Sequence, residues 1–173
     1  MSMNPLEGEN PIKKVIPVNE IVEQKFLVDI EVNPMQVLVN ELEILIQENP
    51  ELYAVIASRA RLSESVFEKE EFLEGTLCGL NMIRKQAEFS GMGMKKLSIE
   101  EAVGFLDTVK EKAKIKKTFE KTIVDDMELL REIDPNYWEA VIKMGRYRVL
   151  GNYFYEGALT IHNIFNFAET SSP

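Results

Sequence analysis

The sequence predicts an all-α protein, a bundle of about seven helices, on three observations. Proline follows Asn or Asp at Asn33-Pro34, Asn49-Pro50 and Asp134-Pro135, each time heading a stretch with apolar residues at helical spacing. Proline suits the first helical position because its φ is preset and the N–H it lacks would have no intrahelical partner there. Ser65 with Glu68, and Ser98 with Glu101, have the Ser-x-x-Glu spacing of capping boxes. The third observation is a helical unit written twice. Phe72-Leu-Glu74-Gly75-Thr-Leu77-Cys-Gly-Leu-Asn81-Met82-Ile83 returns as Phe154-Tyr-Glu156-Gly157-Ala-Leu159-Thr-Ile-His-Asn163-Ile164-Phe165, with five of twelve positions identical. Upstream, Glu43 to Pro50 is echoed by Glu128 to Pro135, and Val55-Ile56 by Val141-Ile142. The offset is 85 residues at the prolines and 82 at the glutamates, so the order of the unit is kept.

Taken in order, residues 1–33 read as an N-terminal arm interrupted by Pro5, Gly8, Pro11 and Pro17. Within it Phe26, Val28, Ile30 and Val32 alternate with other residues, the period of a strand, and Val15–Val18 offers a pairing segment. A small N-terminal β-hairpin and a short helix from Asn19 are both open. Residues 34–90 form the first helical repeat, with Leu38, Leu42, Leu45 and Ile46 as an apolar stripe, a helix restarting at Pro50 to about Arg61, and a third from Ser65 to Ser90. Gly91-Met-Gly93 ends that helix. Residues 91–117 are a linker and a bridging helix with Ile99, Val103, Leu106, Val109 and Ala113 expected on one face. The next stripe, Ile115, Phe119, Ile123, Met127 and Leu130, is rotated from it, which places a break near Ala113–Lys117. Residues 118–169 form the second repeat, with helices from Pro135 to about Leu150 and from Asn152 to about Ala168, and 170–173 are a tail. All belong to one domain, the two repeats related by a pseudo-twofold rotation.

A chain of 173 residues can bury a core unaided. Its single cysteine, Cys78, excludes an intramolecular disulfide framework, and a cytoplasmic setting is expected. No apolar run has the length of a membrane span, and the first residues lack the pattern of a signal peptide. Net charge is −9, yet residues 84–121 carry ten Lys/Arg against six Asp/Glu, so the rest holds −13. An acidic chain repels phosphate backbones, so nucleic acid is not an expected partner. Lys110, Lys112, Lys114, Lys116 and Lys117 are the place an acidic partner would dock, although such a run is also what a solvated helix face looks like.

Glu74 and Glu156 hold matching places in the two copies, as do Asn81 and Asn163. A spacing of seven keeps each Glu/Asn pair on one helix face, so four polar residues could converge across the pseudo-twofold axis. A ligand site is one reading. The other is packing: Gly75 and Gly157 sit inside helices, where glycine costs roughly 1 kcal/mol relative to alanine, and its presence twice implies close helix approach. Packing is the stronger reading, and it predicts that Glu→Gln at either position costs no more than about 1 kcal/mol. Gly75-x-x-x-Gly79 supports it in the first copy, while Ile161 stands at the corresponding place in the second.

No metal site is expected, because the Glu-x-x-His spacing of di-iron bundles is absent and His162 lies off the face of Glu156. Cys78, one turn from Glu74, reads as a small packed side chain with a raised thiol pKa. The aromatics Tyr137, Trp138, Tyr147, Tyr153, Phe154, Tyr155, Phe165 and Phe167 have helical spacing that favours core over a binding surface. No catalytic residue or cofactor is assigned. The expected function is a non-enzymatic protein-interaction or regulatory module, with another protein as partner and homo-oligomers open. The alternative is a carrier of an apolar or lipid-like small molecule, lined by Phe72, Met82, Phe154 and Phe165 with a Glu at its mouth. A nucleic-acid mimic with an acidic face is a third, lower expectation.

Overall fold

A computed structural model of the chain describes residues 15–22, 34–114 and 119–171. These residues form α-helices: α1 Val18–Ile21, α2 Pro34–Glu48, α3 Pro50–Arg61, α4 Val66–Ser90, α5 Ile99–Lys114, α6 Phe119–Ile133, α7 Pro135–Tyr147 and α8 Asn152–Ser171. The all-α class follows from the sequence, and the seven long helices are those it predicts. The proposed strand at 25–32 lies outside the described residues. Its partner segment does not continue extended, because Val18 opens the single turn α1, held by a hydrogen bond from the Tyr53 hydroxyl to the Ile16 carbonyl. Two other expectations shift. The last helix runs to Ser171 rather than about Ala168, and α7 stops at Tyr147 rather than about Leu150.

The two helix–proline–helix joints are built alike. Asn49 has φ −149° and ψ 70°, Asp134 φ −148° and ψ 73°, both pushed out of the helical region by the proline that follows. In each, the amide of the joint residue donates to the preceding helix at 2.8 Å (Leu45 O, Leu130 O). Its carbonyl accepts from the next helix at 3.0 Å (Tyr53 N, Trp138 N). The side chains then diverge. Asn49, fully buried, accepts from Leu97 N and donates to the Lys95 carbonyl, pinning the segment before α5. Asp134 Oδ1 caps α7 at Tyr137 N.

Both capping boxes form, in different ways. Ser98 Oγ accepts from Glu101 N at 3.1 Å and Glu101 returns the bond to Ser98 N at 3.3 Å. Ser65 Oγ accepts from Glu68 N, but the Glu68 carboxylate reaches back to Glu64 N instead. The break expected near Ala113–Lys117 falls mostly on residues outside those described, between α5, described to Lys114, and α6, described from Phe119.

Two apolar clusters make up the core. One joins α1 to α5 through Leu42, Leu45, Leu52, Ile56, Phe72 and Leu80 and takes Ile161, Ile164 and Phe165 from α8. The other joins α6, α7 and α8 through Ile123, Met127, Leu130, Tyr137, Val141 and Phe154, with Cys78 and Met82 of α4 packed against it. Helices α4 and α8 thus lie between the clusters, and each contributes to both. On α5 the buried face is Ala102, Leu106 and Val109, while Ile99 and Val103 are exposed, which corrects the predicted stripe. Apolar residues surround that helix on more than one side, so periodicity alone did not fix the face turned inward.

Helices α4 and α7 end in the same turn. The amide of the second residue past the cap closes a six-residue loop, Met92 N to Ala87 O at 3.0 Å and Leu150 N to Gly145 O at 2.8 Å. The residue before it must be left-handed. After α4 that residue is Gly91, φ 73°; after α7 it is Val149, φ 54°. A β-branched residue there is strained by roughly 1–2 kcal/mol. Val149→Gly is therefore expected to stabilise the protein by about 1 kcal/mol, part of the relief being offset by the looser unfolded chain. Thermal unfolding would show this as a rise of about 2–4 °C in Tm.

Candidate functional site

The two similar motifs, 72–83 and 154–165, meet where α4 crosses α8. A methyl group on Gly75 would strike the Phe154 carbonyl oxygen and lie 3.1 Å from Ala158 N. One on Gly157 would strike the Phe72 carbonyl oxygen and lie 2.8 Å from Thr76 N. Phe72 and Phe154, like Thr76 and Ala158, are 82 positions apart, so the contacts of one glycine become those of the other when the motifs are exchanged. The obstacles are backbone atoms of the facing helix, which is why glycine stands at both places. One turn on, the symmetry is relaxed. A methyl on Gly79 would lie 2.9 Å from Ile161 Cβ, so the large residue of one copy fills the space over the small residue of the other.

Glu74 and Glu156 do not brace each other. Glu156, buried, accepts from Arg59 of α3 through two parallel bonds, Nε–Oε2 at 2.6 Å and Nη2–Oε1 at 2.7 Å. The guanidinium also lies over the Phe72 ring, 5.3 Å from its centroid. Glu74, half-buried, has Arg148 Nη1 of the turn after α7 at 2.7 Å from Oε2. Each carboxylate of the crossing therefore takes its cation from the other half of the chain: Glu156 from the first, Glu74 from the second. The predicted convergence of four polar residues is not found, since Asn81 and Asn163 are exposed and neither partners a glutamate. Seven residues separate each Asn from its Glu, and the crossing at the glycines carries the asparagines out of it.

Sequence reasoning missed both arginines. Arg59 left a signal, since it follows Leu52 and Ile56 at helical spacing on the buried face of α3. Arg148 lies outside any helix and left none.

Burial raises the Glu74 carboxyl above its ordinary value; the Arg148 cation opposes this, and Glu70 and Glu71 add to it. The folded state then holds the proton more readily than the unfolded chain. Stability contributed by this group grows as pH falls through the folded value toward the usual glutamate range and is lost as pH rises again. Chemical denaturation of Glu74→Gln beside the parent should show the difference moving in the parent's favour on acidification. A difference flat with pH would refute this.

The remaining polar residues near the crossing also have internal partners. Glu71, buried, accepts from Gly151 N at 3.0 Å ahead of α8. His162, buried, has Nε2 at 3.0 Å from Asp134 Oδ2, and its ring lies 4.8 Å from that of Tyr137. The Tyr137 hydroxyl donates to the Ala158 carbonyl at 2.6 Å. Cys78 is half-buried, and burial pushes its thiol up to about 11. Among the described residues no group of three or more His, Cys, Asp or Glu could hold a metal ion.

Of the predicted aromatics, Tyr137, Phe154 and Phe165 are in the core, Trp138, Tyr153 and Tyr155 are half-buried, and Tyr147 projects outward. The side chain of Phe167 is outside those described. Phe72 and Phe165 lie in one apolar cluster, and Phe154 lies in the other with Met82 packed against it. Of the lysine run, Lys110 is exposed; the side chains of Lys112 and Lys114, and residues Lys116 and Lys117, are outside those described. No described helix is long and apolar enough to cross a membrane. The chain matches no protein-family model, no curated protein and no solved structure.

Proposed function

We propose that the chain is a non-enzymatic interaction module, built on a duplicated helical unit whose two copies lock against each other at the α4–α8 crossing and present the outer surface to another protein. One observation carries this reading: Glu156, Glu74 and His162 are each held by a partner from elsewhere in the chain, Arg59 of α3, Arg148 of the turn after α7 and Asp134 of the joint before it. Groups held in this way fix one arrangement of the halves, and a fixed scaffold is what a docking surface requires. Large apolar side chains meanwhile remain outside, among them Phe67, Phe89, Met92, Tyr147 and Val149. The duplication is supported by the matched joints at Asn49 and Asp134 and by the exchangeable glycine contacts. A cytoplasmic setting belongs to the same proposal, in keeping with one free thiol.

The test is affinity capture with the intact chain over a range of salt concentrations, followed by binding of the purified partner. A partner recovered reproducibly and bound in purified form supports the module; none at any salt argues against it. Native mass spectrometry gives the competing outcome, since a co-purifying lipid or metabolite would favour the carrier.

A further inference from the structure

The outer face of α6 combines apolar exposure with uncompensated charge. Val124, Leu129 and Ile133 are 54%, 54% and 60% exposed, although the opposite side of the same helix buries Ile123, Met127 and Leu130 in the core. Leu129 and Ile133 are one turn apart and form a short apolar ridge. Exposed beside it are Asp125, one turn ahead of Leu129, and Glu128 and Glu132, which run parallel to the ridge.

These carboxylates do not serve the helix that carries them. Glu128 and Glu132 are four residues apart and Asp125 and Glu128 three, spacings at which like charges destabilise a helix. None of the three has an ion-pair or hydrogen-bond partner for its side chain among the described residues. The cations of α6 leave them uncompensated: Arg131 lies over the Trp138 ring, 5.0 Å from its centroid, and Lys121 is in no ion pair among the described residues. Residues 119–134 hold six Asp/Glu against two Lys/Arg, a balance of −4 within a chain of −9.

We infer that the outer face of α6 docks a basic amphipathic helix of a partner protein, whose apolar residues cover Leu129 and Ile133 while its Lys and Arg face Asp125, Glu128 and Glu132. Charge decides the occupant. The local balance and that of the whole chain have the same sign, so both attract a basic partner and repel an acidic protein, a phosphate backbone or an anionic membrane. Shape decides its form, because a ridge of residues four apart packs into the groove of another helix. This rests on the interaction-module reading and gives it a surface.

The experiment uses the full chain and a fluorescein-labelled helical peptide with leucines three and four residues apart among lysines, read by anisotropy. Lys–Ser and Glu–Leu peptides of equal length are the comparisons. The parent should bind the Lys–Leu peptide saturably and more weakly as salt rises, the Lys–Ser peptide far more weakly and the Glu–Leu peptide not at all. Leu129→Ser with Ile133→Ser should weaken Lys–Leu binding at least about tenfold, which is 1.4 kcal/mol. Asp125→Asn, Glu128→Gln and Glu132→Gln together should do the same and flatten the salt dependence. Glu43→Gln, Glu88→Gln and Asp107→Asn remove equal charge from exposed positions on α2, α4 and α5. Salt screens such distant charges, so affinity should change by less than about twofold. All the substituted side chains are exposed, and thermal unfolding of each variant should match the parent's, which shows that lost binding is not lost fold.

Equal affinity of the parent and the Leu129→Ser, Ile133→Ser variant, equal affinity for the Lys–Ser peptide, or no binding would each overturn the docking face. So would a loss from the remote triple variant as large as that from the α6 one. A dimer in sedimentation velocity that Leu129→Ser with Ile133→Ser dissolves would make the occupant a second copy and overturn the inference as stated. Capture by that variant of the same partner as the parent would sink the docking face and leave the interaction module standing. Recovery of no partner by the parent would sink both.

Discussion

Gly157→Leu is expected to abolish cooperative unfolding, or to cost about 3 kcal/mol or more, the top of the usual range for overpacking. Most overpacked cores recover part of the cost because side chains shift. Here the first atom of the new side chain meets the Phe72 carbonyl and Thr76 N, which belong to the backbone of α4. Only separation of α4 from α8 makes room, and that loosens both apolar clusters at once, because each helix serves both. Gly75→Leu should behave the same way against Phe154 and Ala158.

Alanine sharpens the test. Gly75→Ala and Gly157→Ala should each destabilise despite the roughly 1 kcal/mol gained from alanine's helix propensity. Gly75 and Gly157 face each other, with a methyl on Gly157 lying 3.1 Å from the Gly75 carbonyl carbon. A helix pair already parted by one methyl therefore admits the second at little further cost. The double variant should fall short of the sum by about 0.5–3 kcal/mol, as coupled neighbours do. Gly104→Ala is the contrast: it is inside α5, exposed, and nothing lies within 4 Å of the added methyl. It should stabilise by up to about 1 kcal/mol. Urea denaturation of these four variants decides the matter, and strict additivity of the alanine pair would mean that the glycines do not share one crossing.

What the sequence disclosed, and what it did not, divides by range. The helix starts at Pro50 and Pro135, the caps at Ser65 and Ser98, and the turn at Gly91 depend on residues within a few positions of each other, and all could be read directly. Close approach at Gly75 and Gly157 was legible too, because a glycine kept inside a helix twice needs a reason. The partners of the glutamates were not. Glu156 finds Arg59 at a separation of 97 residues, and no local pattern records that distance. Asn81 and Asn163 misled because identity between copies was read as shared contact, whereas both face solvent. Val149 could not be found at all, since valine is the residue least expected in a left-handed turn.

The packing reading from sequence allowed Glu→Gln a cost of no more than about 1 kcal/mol at either position. The structure keeps that figure for Glu74 and revises it for Glu156. The Glu74–Arg148 pair is partly open to water, where screening and side-chain entropy leave an ion pair worth about 0–1 kcal/mol. The Glu156–Arg59 pair is buried at both ends, with side-chain exposures of 9% and 6%. Removing the carboxylate's charge strands a guanidinium that cannot shed its proton, so Glu156→Gln or Glu156→Ala should cost about 3–5 kcal/mol. Arg59→Met should cost a similar amount by leaving the carboxylate alone.

The pair itself need not be stabilising. Its two charges were taken out of water to form it, and a well-packed apolar pair of similar volume does as well or better in many proteins. Arg59→Met with Glu156→Leu should therefore recover most of the loss, to within about 2 kcal/mol of the parent, the residue being the contact of Arg59 with the Phe72 ring. If the double variant is instead as unstable as the single ones, the two parallel hydrogen bonds stabilise the fold outright. If it is stable yet no longer binds the partner that the parent binds, Arg59 and Glu156 set the mutual placement of the two halves rather than the stability of either.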